Sequence, residues 1–180
     1  MNGDTIIGFF DESSPQTTAN TQRLWSFRKQ TIYKNTTKLK ANSFGFYALN
    51  GNSVIDFKER SKKEYVCEFF DEIRLKNPVK NIVVILDNFR SHRANATLNY
   101  ANEIGIELVF LPPYSPDLNP IEYIWKSIKK IISKEFIIDQ GHMKRIILDA
   151  FLNFSSKLSF ARRWIEKFMG DKLEMLGSQL

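Results

Sequence analysis

The sequence predicts an α/β fold, a mixed sheet with helices packed on its faces. Three observations carry this. The run "NIVVILD" (81–87) is continuous and β-branched, as expected of a strand covered on both sides. The stretch "KANSFGFYALNGNSVIDFKER" (40–60) holds two β-rich runs joined by Asn50-Gly51, the pair that a type I′ hairpin turn favours. Between and after these runs apolar residues recur at helical spacing, so strands and helices alternate.

In chain order, "TIIGFF" (5–10) reads as a buried strand ending at Asp11, and the polar "DESSPQTTANTQ" that follows as a loop. The hairpin comes next. From Lys62 to Lys76, Tyr65, Val66, Phe69, Phe70 and Ile73 fall on one helical face. After the strand "NIVVILD", a helix is expected over about 94–103, ended by Gly105. "IELVFL" (106–111) is a further strand, stopped by Pro112 and Pro113. A helix then starts near Pro120, where proline suits the first turn, with Ile121, Ile124, Trp125, Ile128, Ile131 and Ile132 on its apolar face. Two more helical patterns occupy roughly 141–155 and 159–176.

A chain of 180 residues is expected to form one domain with a real core, which 15 phenylalanines help to fill. Net charge is +6 and the pI is near 9.4, which favours a polyanionic partner. A single cysteine, Cys67, excludes an internal disulfide and a multi-cysteine zinc site, and in "EYVCEFF" it reads as buried filler. No apolar run reaches about 18 residues, and "MNGDTIIGFFDE" lacks the basic start of a signal peptide. The expectation is therefore a cytoplasmic protein without membrane contact.

Two strands end on an aspartate, Asp11 and Asp87. Ligand sites in open α/β sheets lie beyond strand carboxyl ends, so neighbouring strands would set these carboxylates side by side. So close, they repel unless one is protonated or a cation lies between them. The stiff "PPYSPDLNP" (112–120) fixes where the next helix begins and holds Glu122 at a defined height on its first turn. Three carboxylates around two hard cations suit in-line phosphoryl transfer. Each residue alone has a structural alternative: Asp11 as a turn cap, Asp87 as an Asx-turn residue, Glu122 as a dipole partner or the i, i+4 partner of Lys126. Glu12 competes with Asp11 for the strand end. His92 reads as a metal or phosphate ligand or as a helix-start residue, and Asp117 as a turn former. No glycine-rich phosphate loop is present, which counts against a small-molecule α/β enzyme.

"FFDES" (9–13), "VILDNFRSHRA" (84–94) and "LPPYSPDLNPIEYIWKSIKK" (111–130) together resemble the catalytic domain of the IS630/Tc1/mariner superfamily of DDE transposases, in its IS630-like branch. The 34 residues between Asp87 and Glu122 match the spacing of that family. "RLWSFRKQ" (Arg23, Trp25, Lys29) resembles its post-aspartate segment and "FYALNG" its second hairpin strand. Gln30 stands where the family usually has glycine. The resemblance covers roughly 5–135, with looser C-terminal helices at about 141–176.

The resemblance implies an RNase H-like, integrase-like fold with a mixed five-stranded sheet and helices on both faces. It implies Asp11, Asp87 and Glu122 as catalytic ligands of two Mg²⁺ or Mn²⁺ ions, serving DNA transposition and recombination. It also implies double-stranded DNA partners (transposon ends and target, usually at TA) and a homodimer in a synaptic complex. Asn88 and His92 match family positions. Arg23, Trp25, Lys29, His92, Lys126, Lys129, Lys130 and, less directly, Lys134 are candidate DNA contacts. The helix-turn-helix half that would precede such a domain is expected to be absent from 1–180, the chain being either a fragment or the second half of a split gene whose other half is encoded separately, with the protein acting at the nucleoid if prokaryotic. The competing expectation is an inactive transposase-derived remnant that only binds DNA.

Overall fold

In this computed structural model the described residues are 5–18, 35–78, 81–113 and 115–170. Five strands, Thr5–Ser13 (β1), Ser43–Ala48 (β2), Val54–Phe57 (β3), Asn81–Leu86 (β4) and Ile106–Phe110 (β5), form one sheet in the order β3-β2-β1-β4-β5. β1 runs antiparallel to β2 and parallel to β4, and β5 is parallel to β4. The helices are Lys63–Lys76 (α1), Asn95–Glu103 (α2), Ile121–Ile132 (α3), Gln140–Ser155 (α4) and Arg162–Phe168 (α5). Short 3-10 turns, Pro116–Leu118 and Leu158–Phe160, precede α3 and α5.

Strand pleating sorts β1 into two cores, because successive side chains point to opposite faces. Ile7 and Phe9, with Tyr47 and Ile85, meet Ile124, Trp125 and Ile128 of α3 and Ile147 and Phe151 of α4. Ile6 and Phe10, with Phe44, Phe46, Val84 and Leu86, meet Phe69, Phe70 and Ile73 of α1 and Ala101 of α2. Side chains such as Trp125, Phe69 and Phe70 are fully buried, each worth about 1.5–3 kcal/mol relative to exposure. The expected layering, helices on both faces of a mixed sheet, is what forms. No helix of the described residues is long and apolar enough to cross a membrane.

Gly105 ends α2 as expected, with φ +72° just beyond the last turn. Four expectations need correction. Asn50-Gly51 is not a type I′ turn: Gly51 is not among the glycines with positive φ, and residues 49–53 join β2 to β3. The Asn50 side chain instead accepts from Ile7 N (2.9 Å) and donates to Thr5 O (2.8 Å), tying the loop to β1. β1 does not end at Asp11 but runs two residues further, to Ser13, carried by its ladder with β2. The final helical pattern breaks at the 3-10 turn, and α5 ends at Phe168; 171–176 lie outside the described residues. Cys67 is half-buried on α1 rather than buried, with its thiol pKa pushed up by burial.

Candidate active site

The register of β1 on β4 ends at Phe9–Ile85, and continuing it two residues sets Asp11 beside Asp87 on strands about 4.8 Å apart. Asp11 shares a face with Ile7 and Phe9, the face covered by α3 and α4. Glu12 shares the other face with Phe10. The pleat thus separates the two competing carboxylates: Asp11 looks toward the helix that carries Glu122, and Glu12 toward α1 and α2.

Glu122 is brought there by the segment after β5. Leu111 N donates to Leu86 O (2.8 Å), which holds the end of β5 against β4. Asn88 on the far side of Asp87 donates from its side chain to Leu111 O, bracing the same corner. The chain then passes Pro112 and Pro113 and turns through Pro116–Leu118, and Glu122 N donates to Asn119 O (3.1 Å) as α3 begins. Asp117 lies in that 3-10 turn, as expected of a turn former.

Asp11, Asp87 and Glu122 line one pocket of about 400 Å³, with Asn88, Asn119 and Phe89 also at its wall. Asp11 is 9% exposed. Burial, then Glu122, then Asp87 push its pKa well above the usual carboxylate range, against a weaker pull from a backbone hydrogen bond at Glu12 and from His92. Burial also raises Glu122, partly opposed by Lys129, and Asp87 raises it further. Lys129, not Lys126, is the cation that bears on Glu122, so the expected i, i+4 partner is not the one found. Asp87 is the exception. Burial raises it, but hydrogen bonds and charge from His92 and the Phe89 N–H outweigh that, and its pKa is lowered.

His92 sits beneath this corner, 2% exposed, with its ring 5.1 Å from Phe10. Nδ1 lies 2.7 Å from Asp87 Oδ1 and Nε2 lies 3.3 Å from Glu12 Oε1. Burial lowers the imidazole pKa, but the two carboxylates overcome this and push it up to about 9. The doubly protonated ring donates to both. Phe89 N also donates to Asp87 Oδ1 (3.0 Å), so Asp87 is an Asx-turn residue as well as a pocket carboxylate. The sequence left the role of His92 open; its place five residues after Asp87 is visible there, its burial against Phe10 is not.

Among the described residues, no three His, Cys, Asp or Glu side chains converge closely enough to hold a single metal ion. The carboxylates are spread around the pocket instead. In kind they fit a hard cation: every donor is oxygen, Asp11 is buried among like charges, and Asn119 Oδ1 is buried at the pocket wall without a hydrogen-bond partner. Lys126, Lys129 and Lys130 are exposed along α3, and Lys134 follows its last turn. Arg23, Trp25 and Lys29 lie outside the described residues.

Known proteins share this architecture. The Mos1 mariner transposase in a paired-end complex with Mn superposes with a TM-score of 0.69 at 19% identity, covering 98% of this chain and 56% of that one. The isolated catalytic domain of Mos1 mariner transposase gives a TM-score of 0.62 at 16% identity, over 98% of this chain and 82% of that one. Histone-lysine N-methyltransferase SETMAR of Homo sapiens is 48% identical over 44 residues, 24% of this chain and 6% of that protein. The chain therefore spans about half of the Mos1 chain in the paired-end complex and a small part of SETMAR. These likenesses establish the RNase H-like fold. The family model of the DDE superfamily endonucleases matches residues 7–144, well over half of the sequence, and this chain belongs to that family.

Proposed function

We propose that this domain is the DNA-cleaving and DNA-joining part of a transposase, with Asp11, Asp87 and Glu122 as its catalytic carboxylates. Asp11 carries this reading: a buried carboxylate facing two others across one pocket, with no cationic side chain hydrogen-bonded to it among the described residues. Such an arrangement is costly without a counter-charge. The three residues would hold two divalent ions, Mg²⁺ or Mn²⁺. When bound, these ions supply charge neutralisation at the phosphodiester and at the attacking and leaving oxygens. The solved Mos1 complexes with Mn and Mg support that choice of metal by family likeness.

The residues of the chain contribute position and charge rather than a covalent intermediate. β1 holds Asp11 in its ladder with β2, opposite Gly45. His92 keeps Asp87 ionised and fixes its Oδ1. α3 sets the height of Glu122, and Leu111, Pro112 and Pro113 wall the pocket opposite it. A water would cut at the element's end, and the freed 3′-hydroxyl would then attack target DNA. The partners are duplex transposon ends and target, with two copies of the domain in a synaptic complex. The protein acts where that DNA is, at the nucleoid in a prokaryote.

Nicking of supercoiled plasmid tests this. Relaxed circles are expected with Mg²⁺ or Mn²⁺ and none with chelator. A protein that binds the plasmid but leaves it intact in both metals would be a DNA-binding remnant, and the catalytic reading would fall.

A further inference from the structure

The start of α3 borders a second groove, on the side away from Glu122. It measures about 570 Å³ and runs between α3 and α5. The two pockets share one stretch of chain: Asn119 and Glu122 line the first, Pro120 and Tyr123 the second. Consecutive Cα atoms are about 3.8 Å apart, so the two pockets adjoin at the first turn of α3.

Its walls combine cations with aromatic rings, of which Tyr123 and Phe168 are exposed and Trp164 is half-buried, its ring 4.8 Å from that of Phe9. Tyr123 and Lys126, one helical turn apart on α3, stand on one side. Arg163, Trp164, Lys167 and Phe168 of α5 stand on the other. Tyr123 is 44% and Phe168 50% exposed, a large apolar area to leave in water. Lys167 Nζ lies over the Phe168 ring at 5.2 Å. Arg162 is tied to Glu166 at 2.9 Å, but no carboxylate among the described residues pairs with Lys126, Arg163 or Lys167. Asp117 is the acidic residue of the lining.

We propose that this groove binds a single-stranded segment of the DNA whose phosphodiester lies at the carboxylate pocket, its bases stacked on Tyr123 and Trp164 and its phosphates on Lys126, Arg163 and Lys167. This rests on the reading of the domain as a DNA-acting enzyme and adds a subsite to it. Charge selects a polyanion. The concave shape and the ring faces select unpaired bases, because a duplex keeps its base faces stacked inside while a single strand offers them to aromatic platforms.

Fluorescence anisotropy with a short labelled oligothymidylate and a duplex of the same length, in chelator at low salt, tests the site. The oligothymidylate binds the wild type and quenches tryptophan emission, and Trp164→Phe removes that quenching. Tyr123→Ala and Arg163→Ala each weaken single-strand binding on the order of tenfold, the weight of one stacked base, and leave duplex binding little changed. Tyr123→Phe keeps the wild-type affinity, since the ring face remains. Both positions are exposed, and unchanged melting of the variants confirms that they fold. No single-strand binding by the wild type, or equal weakening of both DNAs in the alanine variants, overturns the proposal. Groove binding by a protein that never nicks DNA would remove the catalytic reading and leave this site standing.

Discussion

Trp125 packs into the space that Gly45 leaves open, next to Asp11 in the sheet. Gly45 is the residue paired with Asp11 across the β1–β2 ladder. A Cβ on Gly45 would stand 2.6 Å from Trp125 Cζ2 and 2.9 Å from Phe151 Cε2. Glu122 precedes Trp125 by three residues on α3 and so sits one turn away on the same side. The missing side chain at position 45 therefore sets how low α3 rides over β1, and with it the approach of Glu122 to Asp11.

Gly45→Ala should push α3 away. Overpacking of this kind costs about 1–3 kcal/mol, since both atoms that the new methyl meets belong to fully buried rings. Urea unfolding should show that loss, and plasmid nicking should fall as Glu122 is displaced. Unchanged stability would mean that α3 does not dock through Gly45.

Glu12 and Asp11 should behave oppositely. Glu12 faces the α1 and α2 layer and meets His92, away from the pocket. Glu12→Gln is expected to retain metal-dependent nicking, while Asp11→Asn abolishes it. The reverse result would make Glu12 the first ligand.

His92→Ala should be destabilising on the order of 2 kcal/mol, because it strands Glu12, whose side chain is 11% exposed, without its partner. The half-exposed Asp87 adds less. Thermal melting reads the loss. His92→Gln, which keeps a donor, should recover part of it.

Much of this arrangement was legible in the sequence, for identifiable reasons. The β-branched run before Asp87 and the prolines before Glu122 mark a strand end and a helix start, and both carboxylates lie where those marks place them. The choice between Asp11 and Glu12 was not legible. It depends on which side chains of β1 face α3, and only the assembled cores, Ile7 and Phe9 against Ile6 and Phe10, decide that. Asn50-Gly51 carries a strong turn signal, but the Asn50 amide is used on the backbone of β1, a long-range demand that local propensity does not register. The basic and aromatic residues of "RRWIEKF" (162–168) are plain in the sequence. Their groove is not, since it exists only where α5 meets α3.

Duplex DNA should bind weakly, with little sequence preference, and lose affinity steeply with salt as bound phosphates release counterions. Replacing Lys126, Lys129 and Lys130 together by alanine should flatten the log–log salt dependence by about 0.9 for each phosphate that is no longer neutralised. A salt dependence equal to that of the wild type would remove these lysines from the interface.

The most direct test of the three-carboxylate site is the melting temperature with and without divalent metal. Mg²⁺ or Mn²⁺ should raise it in the wild type, because an ion that binds only the folded state stabilises by mass action. In chelator, Asp11→Asn and Glu122→Gln should melt no lower than the wild type, since each removes a repelling charge; Asp87→Asn should melt lower, because it gives up the His92 pair that holds the Asp87 carboxyl below its usual range. The metal-induced rise should be small or absent in all three. An equal rise in the wild type and the three variants would contradict the account.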